Sequence, residues 1–501
     1  MQEAFAQGLP LPADLLGGGM VVTGAGRSDT RADGASERWT TQLAGPLLLV
    51  AATAGLLRQG AYYPSMQRLV GLLIAAATLL GLAASPLTRD DIHLLPVVPA
   101  LALAAWAVLD GALVGVAGAG VGLALLLAGV VAVLLVCRRL WQENREILLA
   151  GVTCIGLLVA LTGWLGVAGR AGSWAFQAQG LWRASSTLTY PNATAAVLAP
   201  ISLLVLGRLV GTPGSLPLTL AATGLLAGLA ATMSRAGALA LVVGLVVLAG
   251  LRGFRATARA AVGPLAGALV ALVCLLPSMP AAGPPRPVLA LVGLCAGLAL
   301  AAIVARLRRW PALVLLGGVL VAGGVGLLAT GGGVGGAAQT VAEARANLAS
   351  PDRTGALHAA LRLLAQHPLT GTGPGQAHLR WEGQGHGTQL FAYVHNEYLQ
   401  VAAELGLVGL VLLAVLLVAI ARLLWRARAT GRPGATWAGA AAAAAAFATH
   451  SGFDFVWHLP AIVLTVTLLV GAALPTPDPA PAHQSSIPAQ AKEPDDNQAA
   501  H

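Results

Sequence analysis

Lysine is nearly absent from this chain: Lys492 stands alone against a total of 29 basic residues, and only 10% of the 501 residues carry a charge. A soluble chain of that length needs far more polar surface to stay dispersed, so a soluble globular protein is excluded. The arginine bias reads as the base composition of a genome rather than as a binding function. The four cysteines, Cys137, Cys154, Cys274 and Cys295, lie in or at the ends of apolar runs and read as packed thiols, which argues against a disulfide framework. Neither a Walker-type loop nor a G-x-G-x-x-G turn between strand and helix is present, so there is no nucleotide-binding signature. The first forty residues hold no compact apolar segment ending in a small-residue cleavage site. The expectation is that no signal peptide is removed and that the first span serves as the anchor signal.

What the chain has in abundance is apolar sequence: 57% of residues are hydrophobic and the mean hydropathy is +0.77. Runs long enough to cross a bilayer, roughly 17 to 25 residues each, recur from Leu43 to Val470. They are continuous Ala, Leu, Val and Gly rather than short alternating strands, which excludes a β-barrel and predicts an all-α, polytopic membrane helix bundle. The net charge of +9 does not indicate nucleic acid, because the arginines cluster in short connections between apolar runs. The clusters are Arg138, Arg139 and Arg145; Arg252, Arg255 and Arg259; Arg306, Arg308 and Arg309; and Arg422, Arg426, Arg428 and Arg432. Placed together in the cytoplasm by the positive-inside rule, they predict twelve to fourteen spans, with both termini inside. Arg58 and Arg68 run against that trend, flanking an external loop.

The expected organisation is a cytoplasmic tail over 1–42, a first transmembrane part over 43–329, an external catalytic loop over 330–397, further spans over 398–474 and a disordered cytoplasmic tail over 475–501. Predicted spans include 43–57, 112–136, 312–328 and 399–421. Loops as long as the external one are uncommon without a function. Two helices are predicted inside it, 342–348 and an amphipathic one over 355–366 with Leu357, Leu361 and Leu364 on one face, followed by the turn-rich HPLTGTGPGQ of 367–376.

Several short motifs follow in order: TYPNATA from Thr189, SRAG from Ser234, Asp352-Arg353 opening the amphipathic helix, and HPLTGTGPG from His367. HNEYLQVAAELGLVG begins at His395 and HSGFDFVWHLPA at His450. Their order and topology resemble the bacterial O-antigen ligase and polymerase superfamily, from about Tyr190 to the last span. The resemblance implies an enzyme of the cytoplasmic membrane that moves a glycan from a polyprenyl-pyrophosphate lipid to a glycan, lipid or protein acceptor on the outer face, without metal, nucleotide or other cofactor. Such chemistry needs a fork-shaped cation for the departing diphosphate and a group that takes the acceptor's proton. Arg353 and His395 are the expected catalytic residues, with Arg235, Arg353 and Asn396 on the diphosphate. Asn396 also suits a helix cap. Tyr190 and Asn192, at the start of a span, suit either capping or acceptor positioning.

Arg235 is the only charged residue between Arg208 and Arg252. At full membrane depth an unpaired arginine costs about 2.5 to 3.5 kcal/mol, so it is expected to bridge the diphosphate and Glu404. Gly406 and Gly409 are expected to let a second helix approach, and Gly371, Gly373 and Gly375 to form a rigid turn. His450, Asp454 and His458 recur at helical spacing, yet the aromatics among them suit a membrane interface better than a metal site. The rival to a transferase is a lipid-linked glycan flippase or other transporter, which needs charged or broken helices through the bundle and no external catalytic loop. A scaffold for envelope assembly would leave Arg353 and His395 replaceable.

Overall fold

Apolar runs that meet no water must close their backbone hydrogen bonds internally, and this chain does so almost wholly in helices. The computed structural model describes residues 29–306, 317, 333–346, 351–383, 387–429 and 434–474. The first helices are α1 (Asp29–Leu57), α2 (Pro64–Ala84), the short α3 (Arg89–Leu94), α4 (Val97–Leu113), α5 (Val121–Arg139) and α6 (Gln142–Gly169). A hairpin follows, β1 (Ala175–Ala178) with β2 (Leu181–Ala184), then α7 (Pro191–Gly211), α8 (Leu216–Ala231), α9 (Arg235–Arg252), α10 (Phe254–Leu275) and α11 (Pro287–Arg306). Next come α12 (Gly333–Ala346), α13 (Pro351–Gln366) and a second hairpin, β3 (Leu379–Gly383) with β4 (Gly387–Phe391). The chain closes with α14 (Glu397–Ala429), α15 (Ala435–Ser451) and α16 (Pro460–Ala472).

Among the described residues, eight helices are long and apolar enough to cross a membrane, and α4, α8, α16 and residues 42–57 are shorter apolar helices. The expected all-α membrane bundle is therefore what the sequence forms. α7 is its axis, with nearly all of its residues buried and α6, α8, α9 and α15 packed around it. Small residues permit this: Gly207 of α7 faces Gly439 of α15 so closely that a Cβ on Gly207 would stand 2.4 Å from the Gly439 Cα.

Side chains tie the connections between helices at each end of the bundle. At one end Arg139 donates to the carbonyls of Ser85 and Pro86 at 2.9 and 3.1 Å, and Arg208 pairs with Glu146 at 2.5 Å. At the other, Arg170 donates to the carbonyls of Ser278 and Gly283 at 3.2 and 2.6 Å. The first end carries the arginines at the ends of α5, α9, α11 and α14. The second carries the starts of α7, α9 and α14 and the link from α15 to α16. The expectation that the arginine-rich end is cytoplasmic can be checked by labelling. Single cysteines placed at Gln389 and Arg428, in a background without the native four, should react differently with an impermeant thiol reagent on intact cells. Position 389 should label and 428 should not; the reverse pattern would invert the topology.

Several expectations need correction. α1 begins at Asp29, so 29–42 are helical, ahead of the apolar stretch 42–57. The span placed at 112–136 starts later, because α4 ends at Leu113 and Gly115 and Gly118 take left-handed φ of 81° and 88° before α5. The span expected at 312–328 and the tail at 475–501 lie outside the described residues, apart from helical Gly317. The segment 330–397 holds a hairpin, β3 paired antiparallel with β4, in addition to the two expected helices. α13 packs with Ala356, Ala359 and Ala360 inward, while Leu357 and Leu361 are exposed. Alanines let this helix lie close against α14. Of the cysteines, Cys137 and Cys274 are buried but Cys154 and Cys295 are exposed.

The largest correction concerns Gly406, which is not a helix-approach site. It breaks α14 with φ 65° and ψ −168°. The break leaves carbonyls without helical partners, and each of three finds one. Thr372 N–H donates to Ala403 O at 3.0 Å, Gly373 N–H to Glu404 O at 2.9 Å, and the Trp106 indole to Leu405 O at 3.0 Å. In return Leu407 N–H donates to Pro368 O at 2.8 Å. The turn-rich segment thus docks into the helix break. Gly409, one turn on, leaves room for Leu405, whose Cβ would lie 2.3 Å from a Cβ there.

Candidate active site

The first turn of α14 is held on both sides. Asn396 Oδ1 accepts from Leu399 N–H at 3.1 Å as the helix N-cap. Gln400 Oε1 accepts from Val394 N–H at 2.8 Å. His395, between these ties, sits in the left-handed region with φ 58°, a strained conformation for a non-glycine residue and one that concentrates at functional sites. Its Nδ1 meets Asp454 Oδ1 at 3.1 Å.

Asp454 is fully buried in the link between α15 and α16. Tyr190 Oη donates to both of its oxygens, at 3.0 and 2.8 Å, Asn192 Nδ2 donates to Oδ2, and Phe455 N–H donates to Oδ1 at 2.9 Å. Arg353, at the start of α13, reaches Oδ2 with Nη2 at 3.8 Å while its side chain stays 40% exposed. Burial pushes the Asp454 carboxyl up, but the hydrogen bond and charge of His395, the Arg353 cation and the Tyr190 hydroxyl together hold it below the usual range. It is therefore a carboxylate at neutral pH. A carboxylate at Nδ1 fixes the imidazole with Nδ1–H donating, which makes Nε2 the atom able to take a proton. Burial first, and the Asp454 charge second, push the Tyr190 phenol up, so Tyr190 remains a donor.

The expected residues thus come together unevenly. His395, Arg353, Tyr190 and Asn192 surround one carboxylate. Arg183 joins them unforeseen: from β2 it donates to Thr232 O at 2.9 Å and to Asn192 Oδ1 at 3.1 Å. Thr232 lies three residues ahead of α9, at whose start Ser234 Oγ caps Gly237 N–H at 3.1 Å and Arg235 is exposed. Arg183, Arg235 and Arg353 therefore lie at the same end of the bundle as the His395–Asp454 pair. Asn396 is different, since its carbonyl oxygen is committed to capping α14.

The expected Arg235–Glu404 bridge does not form. Glu404 accepts instead from Gln400 Nε2 at 2.6 Å. The helical spacing of His450, Asp454 and His458 also dissolves, because α15 ends at Ser451 and the next residues turn. That turn is why Asp454 was legible only as part of a motif and not as the hub of the site. Arg183, seven residues before Tyr190, carried one signal that went unread: an arginine just ahead of TYPNATA.

Beyond Phe455 lies a second polar group. The Phe455 ring stacks between Tyr190 at 5.3 Å and Tyr393 at 4.8 Å, with His395 edge-on at 4.9 Å. Past Tyr393, His458 Nδ1 stands 3.5 Å from Glu397 Oε1, and Glu397 also accepts from Trp457 N–H. Burial lowers the His458 imidazole, but the nearby carboxylates of Glu397 and Glu404 outweigh it, and the net direction is upward. A histidine raised on folding stabilises the fold fully below its unfolded value near 6.5, and the contribution is lost as pH rises through the folded value. The melting temperature of the detergent-purified protein should therefore fall across that window. His458→Gln should flatten the fall, and an unchanged pH profile in that variant would remove His458 as its source.

Residues 288–414 match a family model described as O-antigen ligase. The match supports the O-antigen ligase and polymerase superfamily. It contains Arg353 and His395, whereas Arg183, Tyr190, Asn192, Arg235 and Asp454 lie outside it and are brought in by the fold. No curated protein matches the chain. A match to an O-antigen ligase family supports glycosyltransferase-type chemistry in a multi-pass membrane protein, with a lipid-linked glycan donor and an acceptor in the membrane.

Proposed function

We propose that this protein transfers a glycan from a polyprenyl-pyrophosphate lipid to an acceptor hydroxyl at the outer face of the cytoplasmic membrane, without metal or nucleotide. The observation that carries the reading is the His395–Asp454 pair with Arg353 beside it, at the end of the bundle opposite the arginine clusters. In the reaction the acceptor oxygen bonds to the anomeric carbon while the bond from that carbon to the diphosphate oxygen breaks. The acceptor proton passes to His395 Nε2, and Asp454 stabilises the imidazolium that results. The electron pair of the broken bond leaves on the diphosphate. Arg353 meets the developing charge with its planar fork, and Arg235, exposed at the start of α9, adds a second cation. Arg183 acts through Asn192 as a positioning residue.

The test is transfer from a purified lipid-linked glycan by the protein in nanodiscs, with mass analysis of the product to name the acceptor. Turnover should persist in excess EDTA, and Arg235→Ala should raise the KM for donor. Chelator-sensitive turnover would remove the metal-independent mechanism, and movement of intact lipid-linked glycan without glycosidic transfer would favour a flippase.

A further inference from the structure

Aromatic rings continue in file from Phe455 away from Tyr190. Tyr393 stacks on Phe455, burial and then the nearby Tyr62 phenol push its ionisation up, and Tyr62 stands edge-on to Tyr63 at 5.4 Å. The file ends at a cavity of about 380 Å³ lined by Arg58, Gln59, Tyr63, Ser65 and Trp174, among others. Tyr62, Tyr63 and Trp174 are 44%, 55% and 38% exposed.

The walls of this cavity are fixed. Thr187 Oγ1 donates to Leu56 O at 2.8 Å, and Trp174 O accepts from the backbone N–H of Ser185 and Ser186 at 3.1 and 2.8 Å. Gln59, Gly60 and Ala61 run consecutively through the left-handed region, with φ of 56°, 69° and 59°. Two non-glycine residues so placed are strained, and such strain persists only where the surroundings over-determine it. Rings that merely mark a membrane interface would face lipid singly. These rings instead form a row that leads from the His395–Asp454 pair to a concave site with a guanidinium, an amide and a hydroxyl at its rim. Flat apolar faces beside fixed hydrogen-bonding groups are what a pyranose presents a partner for, with C–H faces on one side and hydroxyls at the edge.

We propose that Tyr393, Tyr62, Tyr63 and Trp174, with Gln59, Ser65 and Arg58, form an extended binding site for an oligosaccharide strand running outward from the reaction centre. The inference rests on the glycosyl-transfer reading and adds to it where the sugars beyond the reacting one are held. The strand belongs either to the donor glycan or to a glycan acceptor.

The experiment uses the full chain in nanodiscs and two probes: the oligosaccharide released by mild acid from the lipid-linked glycans of the source cells, and inorganic pyrophosphate. Calorimetry should show the oligosaccharide bound by the wild type and weakened about tenfold by Tyr63→Ala or Trp174→Ala, with pyrophosphate binding unchanged. Tyr63→Phe and Trp174→Tyr, which keep the aromatic face, should restore most of the affinity and show that the losses are not misfolding. In transfer assays the same alanine variants should raise the KM of one substrate with kcat within about twofold; the substrate affected identifies the source of the strand. Oligosaccharide affinity unchanged in both alanine variants, or absent in the wild type, would overturn the proposal. Failure of transfer in a wild type that still binds oligosaccharide would count against the transferase reading instead.

Discussion

Arg353→Ala and His395→Ala are each expected to abolish glycan transfer while the protein still accumulates in the membrane. Both side chains lie at the end of the bundle rather than within its apolar core, so insertion does not depend on them: Arg353 is 40% exposed with its nearest carboxylate oxygen at 3.8 Å, and His395 lies in the link ahead of α14. Losing a charged contact that forms to the leaving diphosphate removes a few kcal/mol of transition-state stabilisation, on the order of a hundredfold or more in rate. Arg353→Lys should also be impaired, because a point charge does not reproduce the guanidinium fork. The measurement is the initial rate by purified variants at matched amounts. Normal transfer by either one would take that residue out of the reaction.

Gly406→Ala is expected to do comparable damage by another route. A Cβ at this position would lie 2.1 Å from Leu369 O and 2.2 Å from its carbon, and φ 65° with ψ −168° is a region that only glycine occupies without large strain. The variant must either close the break in α14 or expel the 367–375 turn, so carbonyls 403 to 405 lose partners. A cost of about 3 kcal/mol or more is expected from the strain and the lost hydrogen bonds together. It should appear as a lower melting temperature and reduced accumulation, with transfer falling because α14 also carries the His395 end of the site. Gly409→Ala should be milder, since the nearest atoms there belong to the Leu405 side chain. A melting temperature for Gly406→Ala equal to that of the wild type would mean that the break does not support the fold.

How much of this was legible beforehand differs from element to element. The HN pair and the two glycines after it were visible as one motif, yet the glycines were read as a helix contact. An unbroken apolar run gives no sign that one residue within it has left the helix. The partner turn at 367–375 was visible as turn chemistry, but what it docks into depends on a contact across some thirty residues of sequence. Asp454 stood at the right spacing for a helical metal site and proved to lie beyond a helix end. A buried Glu404 does need a partner, as its pairing with Arg235 supposes, but Gln400, one turn before it on the same helix, is the nearer donor.

The sequence by itself determined the class of this protein. Scarce charge, continuous apolar runs and arginines confined to short connections leave a helix bundle in a membrane as the one arrangement that satisfies the backbone without water. It also determined the order of the site-bearing motifs and, through alternation of spans, that they gather at one end. Only the tertiary structure decided which of them touch. The carboxylate that orients His395 comes from the link after α15, its donors from the start of α7, the cation beside it from α13 and a further arginine from β2. Those residues are separated by up to some 270 positions, and nothing in local periodicity encodes which side chains meet when helices of different lengths bring their ends together.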